Sequence, residues 1–437
     1  MALDLGWSGF KPDCMNTPPP AARPSFGEAL RFWLKLGFIS FGGPAGQIAI
    51  MHEELVERKR WIGENRFLHA LNFCMLLPGP EATQLATYCG WLLHRTWGGI
   101  AAGVLFILPS ALLLWMLSYV YVVHGQVGWL AAAFYGIKPA VAAIVAAAVI
   151  RMGRKALRRR VHWLLAALAF GALFFLKVPF PAVVGGALAV GFVGARLRPE
   201  VWAESRPGQT GGAGAPEDRS DADLSEAGRG RTSLWRTSKV ALVCLVLWWA
   251  PVLAAAWWQG WEGTPARLGV FFSQAAMVTF GGAYAVLPYV GQQAVDHHGW
   301  LTASQMLDGL GLAETTPGPL IMVVQFVGFL GGWSQPGGLS PLQAATLGAG
   351  ITTWTTFVPC FLWIFVAAPY LERLRENALL SGALAAVTAA VVGVVLNLAV
   401  WFGAQVFHPR AGVIDGFAIG LAAAAFLTLQ RWKGGTI

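Results

Sequence analysis

Long apolar runs separated by short polar turns occupy most of this chain. Ile100–Val123, Ala131–Ile150, Val240–Trp257, Ala344–Ala368 and Phe417–Leu429 read as membrane helices, a full crossing taking roughly 20 mostly apolar residues. Another apolar stretch, Phe67–Trp91, is interrupted by Pro78-Gly79-Pro80. Proline removes an amide donor and its ring strikes the preceding turn, so no continuous helix is expected there. The interruptions recur. Phe41-Gly42-Gly43-Pro44 is answered by Phe280-Gly281-Gly282-Ala283, Trp61 by Trp300, and Pro78-Gly79-Pro80 by Pro317-Gly318-Pro319, each 239 positions further on. Leu68/Leu307 and Leu71/Leu310 keep the same spacing. Duplicated halves carrying broken apolar segments are the mark of a secondary transporter with its site at the repeat interface.

The polar turns supply the topology. The span ending at Val123 leads to His124-Gly125-Gln126, without Lys or Arg, and the next leads to Arg151, Arg154, Lys155, Arg158, Arg159 and Arg160. Basic loops stay in the cytoplasm, so the 124–128 turn is expected outside. In the second half the corresponding span leads instead to Glu372-Arg373-Leu374-Arg375, and the following one to a loop with only Arg410; Arg431 and Lys433 follow at the C-terminus. The bias has exchanged sides, which predicts an inverted repeat. The extra span at 240–257 and a short hairpin at 162–195, turning at Lys177–Pro181, can supply the odd number of crossings required. Basic residues in 52–66 (Arg58, Lys59, Arg60, Arg66) against none in 291–305 favour re-entrant hairpins over full crossings around the breaks. The expected fold is an all-α polytopic membrane protein, two helical halves related as an inverted repeat, with about 10–12 membrane segments. Residues 1–24 read as a flexible tail without the pattern of a signal peptide, 25–198 as the first repeat and 199–236 as a disordered cytoplasmic linker. Residues 237–266 hold the extra span and a short loop, and 267–437 the second repeat.

Composition agrees. With 56% hydrophobic and 12% charged residues the chain is far from a soluble domain, where roughly a quarter are charged. Trp97, Trp129, Trp163, Trp257, Trp258, Trp261 and Trp432 fall near the ends of apolar runs, as an interfacial belt would have them. The net charge of +9 reads as loop topology rather than nucleic-acid binding. Five scattered cysteines (Cys14, Cys74, Cys89, Cys244, Cys360) show no metal or dithiol spacing. His52-Glu53-Glu54 lacks a second histidine at metalloprotease spacing, and no P-loop appears. No cofactor or metal is expected, and no enzyme.

Chemistry concentrates at the breaks. A half-helix starting after Pro80 or Pro319 points free N–H groups and its positive dipole end at the break, a seat for an anion. Gly42, Gly43, Pro44, Gly281 and Gly282 permit close backbone approach. The plain alternative for any one break is a structural kink; four in register argue against it. Glu81 and Glu314 flank the two Pro-Gly-Pro elements. Intramembrane carboxyls are functional by default, so both are proton-coupling candidates, against a capping role. Gln84, Thr315 and Thr316 either donate to substrate oxygens or satisfy the broken backbone. Lys138 lies mid-span before Pro139, where snorkelling is difficult. It reads as a substrate attractor or as half of a structural pair with a glutamate, and the second half has no lysine at its equivalent, Val387-Thr388-Ala389. Arg31 and Lys35 share a helix face and either line a vestibule or anchor at the interface. His94, His297 and His298 fall at segment ends and read as interfacial.

These residues, together with Gly136-Ile137-Lys138-Pro139-Ala140-Val141 and Phe280–Pro288, resemble the chromate ion transporter family in its long form with two homologous domains. The resemblance runs from about Ser25 to Leu429 except for the linker. It departs at Ala283, where the first half has Pro44, and in the lack of a second lysine. It implies chromate efflux across the bacterial inner membrane driven by the proton motive force, conferring chromate resistance, with sulfate as the chemically similar oxyanion. The implied partners are chromate, sulfate as an alternative, and the lipid bilayer; a homodimer is compatible with it. A sulfate importer and a membrane-bound reductase stand as rivals, and no flavin motif or paired cysteines point to the second.

Overall fold

The structure is a computed structural model that describes residues 24–41, 43–125, 127–198, 202, 234–368, 378–408 and 414–431. The tail, nearly all of the linker, Cys14, Gly42, Gln126, the Glu372–Arg375 turn, Arg410, Trp432 and Lys433 lie outside the described residues. Every regular element described is helical. The first half comprises α1 (Phe26–Ile39), α2 (Gly43–His52), α3 (Glu64–Cys74), α4 (Glu81–His124), α5 (Gly128–Ala156), α6 (Arg160–Phe174) and α7 (Phe180–Leu197). The connecting helix α8 (Leu234–Gln259) precedes α9 (Thr264–Met277), α10 (Ala283–Gln292), α11 (Ala303–Thr315), α12 (Val323–Ser334), α13 (Pro341–Ala367), α14 (Ala378–Phe407) and α15 (Gly416–Arg431).

Local chemistry sets the boundaries. Ser25 caps α1 by accepting from the Glu28 amide, and Thr302/Gln305 and Ser340/Gln343 form capping boxes at α11 and α13. Helix α4 is two arms rather than one rod. His94 and Arg95 leave helical geometry, Arg95 at φ 56°, and the arms fold back on each other because Gly90 and Gly98 meet backbone to backbone. The second arm, from about residue 96 to His124, spans about 40 Å at 1.5 Å per residue.

Both kinds of break are hairpin tips. In the first half the feet of the two hairpins, α1–α2 and α3 with the first arm of α4, lie together. His94 bonds the Pro24 carbonyl at 2.9 Å, His52 pairs with Glu64 at 2.7 Å, and Lys59 lies 3.9 Å from Glu28. In the second half the feet of α9–α10 and α11–α12 also converge. Thr264 donates to the Gln335 carbonyl at 2.9 Å, Arg267 to His298 at 2.9 Å, and Ser334 to the Trp300 carbonyl at 3.1 Å. Each hairpin therefore enters and leaves on one face, as the loop charges predict. The two sets of feet lie on opposite faces, because the second arm of α4 runs antiparallel to α13. Phe365 packs on Gly99 and Phe361 on Gly103 at one end, and Trp115 bonds Thr346 at the other.

Among the described residues six helices are long and apolar enough to cross a membrane: α4, α5, α7, α8, α13 and α14. The shorter apolar α6 and α15 run alongside α14 and α5. Their ends sort the charge. Arg151–Arg160, Arg196, Arg198, Arg236, Lys239 and Arg431 share the face with the first-half feet, while the opposite face carries Lys177 and Arg267 among the described residues. The basic face is cytoplasmic by the positive-inside rule. Exposed side chains between the faces are apolar, for example Leu242, Val243 and Val246 on α8, and Trp97, Trp129 and Trp257 are strongly exposed near helix ends.

Candidate functional site at the crossed hairpin tips

The four tips meet. The Gly79 amide donates to the Thr279 carbonyl at 2.7 Å, and the Gly318 amide donates to the Ser40 carbonyl at the same distance. Thr279 is the repeat equivalent of Ser40, and Gly318 of Gly79. The Pro-Gly-Pro tip of each half is thus bonded to the strand entering the Phe-Gly-Gly tip of the other, in a reciprocal, pseudo-two-fold arrangement. Glycine is required at both donors. Gly79 and Gly318 have φ of +125° and +108°, and a Cβ would strike Gln84 and Cys360 at the first and Ser110 at the second. Ser110 and Cys360 are themselves equivalents, each following the proline inside its helix (Pro109, Pro359).

Around this junction the predicted residues take different positions. The first-half tip begins α2 at Gly43-Pro44, and Gly281 and Gly282 hold positive φ ahead of α10. Pro80 and Pro319 stand at the N-caps of α4 and of the short turn before α12. Pro78 and Pro317 close their tips from the other side. Four helix starts therefore face the junction, a net positive set of peptide ends. Glu81 opens α4, buried, with a carboxylate oxygen 3.8 Å from where a Cβ on Gly282 of the other half would stand. Glu314 accepts a hydrogen bond from the Tyr284 hydroxyl. Gln84 donates to the Pro78 carbonyl at 2.8 Å, Thr315 to Gly311 at 3.0 Å and Thr316 to Ala313 at 3.3 Å. Gln84 and Thr316 satisfy carbonyls freed at the breaks, and Thr315 bonds back within its own helix. Arg31 and Lys35 are exposed on α1, with Lys35 reaching Glu54 at 3.6 Å.

Lys138 is not among the tip residues. Its ammonium lies 3.4 Å from Asp308 and donates to Ser304 at 2.6 Å, joining α5 to the external hairpin leg α11. Tyr121 donates to the same Asp308 carboxylate at 2.9 Å. Asp308 precedes Pro317 by nine positions, about 13 Å along a helix. The partner of Lys138 is an aspartate, not a glutamate. Sequence reasoning missed Asp308, although an acid between Met306 and Ala313 in an otherwise apolar segment was the available signal. Ser40, Gln47 and Ser110 were missed as well. All three are fully buried with polar atoms that have no protein partner.

An apolar cavity of about 250 Å³ adjoins the junction, lined by Phe73, Leu76, Leu77, Pro78, Leu188, Phe280 and Leu384. Among the described residues no group of three or more metal-ligating side chains gathers.

Re-entrant hairpins crossed at mid-membrane within an inverted repeat define a helical membrane transporter. A sequence model described as Chromate transporter matches residues 27–192 and 266–436, one match per half. The chain is 32% identical to the "Chromate transport protein" of Pseudomonas aeruginosa over 425 residues, covering 95% of this chain and 89% of that one. It is 27% identical to the protein of the same description from Cupriavidus metallidurans, covering 96% and 94%. With the "Probable chromate transport protein" of Synechococcus elongatus it shares 28% identity over 94% and 91%. No solved structure matches. This chain belongs to the chromate transporter family.

Proposed function

We propose that this protein exports chromate from the cytoplasm by alternating access, with the oxyanion bound at the crossed tips and protons coupling the cycle. The observation that carries this reading is the reciprocal bonding of the tips, Gly79 to Thr279 and Gly318 to Ser40. One hairpin pair has its feet in the cytoplasm and the other outside, so rocking either pair opens the junction to one face only. A tetrahedral dianion bare in a low-dielectric interior costs tens of kcal/mol. Helix starts and buried donors at the junction are suited to offset that cost. Glu81, beside the opposite tip, and Glu314, held by Tyr284, are the protonatable groups nearest the breaks. Lys138, paired with Asp308 on the external leg, attracts the leaving anion and closes the outer side when the pair re-forms. Efflux of a dianion is electrically downhill, roughly 2.3 kcal/mol per charge per 100 mV, so protons reset the cycle rather than drive the expulsion step. The curated relatives' names favour chromate over sulfate, which the donors alone do not distinguish.

The test is chromate accumulation in inverted inner-membrane vesicles, with and without a proton gradient and with sulfate as competitor. Gradient-dependent chromate accumulation supports the reading. Sulfate movement without chromate movement keeps the architecture and overturns the substrate.

A further inference from the structure

The pseudo-two-fold axis gives each side of the junction a built-in counterpart, and the two sides differ in chemistry. Around Gly318 stand Ser40, Gln47 and Ser110, exposed by 0%, 0% and 1%. The Ser40 and Ser110 hydroxyls and the Gln47 carbonyl oxygen have no protein partner. Their equivalents around Gly79 are Thr279, Val286 and Cys360. Thr279 is satisfied by the Ala275 carbonyl at 2.6 Å, Cys360 faces the Thr356 carbonyl at 4.0 Å, and Val286 is apolar. Near Gly79 the unpartnered atoms are the Gln84 carbonyl oxygen, an acceptor that repels an anion, and the Thr83 hydroxyl in the first turn of α4. Buried hydroxyls without a partner are rare because they lose their hydration for nothing in return. Two of them gathered with the Gln47 amide on the single Gly318 peptide call for a ligand.

We propose that the transported oxyanion is held on the first-half side of the axis, by the Ser40 and Ser110 hydroxyls and the Gln47 amide, in the place filled here by the Gly318 peptide. This rests on the oxyanion-transport reading above and assigns its binding residues. Gln47 donates to the Gly318 carbonyl at 2.5 Å, and the Gly318 amide is bound to the Ser40 carbonyl. The tip of the second-half hairpin therefore plugs the seat. When α11–α12 withdraws, the Gln47 amide loses its acceptor and both hydroxyls are uncovered together. A tetrahedral oxyanion, with acceptors directed to several sides, can accept from all three. Binding and hairpin movement are coupled because the substrate and the Gly318 peptide compete for the same amide. Seat and plug belong to opposite halves, so the site exists only at the crossing.

The experiment compares Ser40→Ala and Ser110→Ala with Ser118→Ala, a buried serine on the same helix as Ser110 whose hydroxyl already donates to the Leu114 carbonyl at 2.6 Å, as chromate KM and maximal rate in inverted vesicles. Losing a hydrogen bond to a charged group predicts a KM rise of about tenfold for each serine variant. The Ser118→Ala variant is expected within about twofold of the wild type. Ser40→Thr and Ser110→Thr keep the hydroxyl and should retain the low KM, which separates a binding role from a packing role. An unchanged KM in Ser40→Ala and Ser110→Ala, or an equal rise in Ser118→Ala, overturns the seat. If the wild type moves no chromate, the transport reading fails on its own, and the same variants are read with sulfate and molybdate flux.

Discussion

The two halves share a backbone plan and hold it together by different means. At the cytoplasmic feet the first half is held by ion pairs: Arg58 to Glu53 at 2.6 Å and Glu54 at 3.2 Å and Lys35 to Glu54 within the first hairpin and its turn, and His52 to Glu64 between the two hairpins. At the external feet the second-half hairpins are joined by stacked rings. His298 lies on Trp300 with centroids 4.2 Å apart, and Phe271 and Phe272 pack against the same tryptophan. The tips diverge in the same way. Glu81, Thr83, Gln84 and Gln47 of the first half are answered by Leu320, Met322, Val323 and Val286 of the second. Duplication supplied the geometry, and divergence left the residues after the first Pro-Gly-Pro tip polar and those after the second, whose Gly318 plugs the seat, apolar. A transporter working by alternating access needs two equivalent gates, but it needs only one seat.

The largest expected effect comes from the feature both halves keep. Gly318→Ala forces an L side chain to positive φ, at roughly 1–2 kcal/mol, and drives its Cβ into Ser110. Chromate protection of expressing cells should be lost. Gly79→Ala should do the same through Gln84 and Cys360, whereas Gly299→Ala, also at positive φ but with open space around it, should retain function. Equal loss at Gly299 would mean that backbone strain, not the crossing, is responsible.

Next in size is the feature that only one half has. Lys138→Ala should abolish chromate protection with the protein level retained, since Asp308 can take up a proton and remain buried. Asp308→Ala, which leaves the ammonium without its counter-charge, should lower both function and the melting temperature in detergent; removing one partner of a buried pair costs about 3–5 kcal/mol. The double variant should recover the stability and not the transport. Full protection by Lys138→Ala would remove the lysine from the transport path.

The smallest effect lies at the external feet. Burial, then the Arg267 guanidinium and His297, pushes the His298 imidazole down to about 4. The folded state therefore holds it neutral while the unfolded chain protonates it near 6.5. Its contribution to stability is present above about pH 6.5 and is lost as the pH falls towards 4. His298→Phe should flatten that part of the stability profile and leave the cytoplasmic ion-pair cluster unaffected.

The architecture was legible because a break at membrane depth needs glycine and proline, and those residues keep their register across 239 positions. Loop charge added the inversion. The meeting of tips from opposite halves was not legible, since Gly79 and Thr279 bond through backbone atoms that carry no side-chain signature. Lys138 announced itself as a cation in an apolar run. Its partner Asp308, on another hairpin, follows only from the packing of α11 on α5. Ser40 and Ser110 were hidden for a different reason: a serine in a membrane helix ordinarily bonds its own backbone, and only the structure shows these two unbonded. Gln84, Thr315 and Thr316, read as donors either to substrate oxygens or to the broken backbone, bond nearby carbonyls.

The most direct test of the crossed tips as an alternating gate is sided thiol labelling at position 279. Thr279→Cys is placed in a chain whose native cysteines are replaced, and a membrane-impermeant reagent is applied from each face, with and without chromate. Reaction from both faces, with chromate shifting the balance between them, is the predicted result. Reaction from one face only, under every condition, would contradict it.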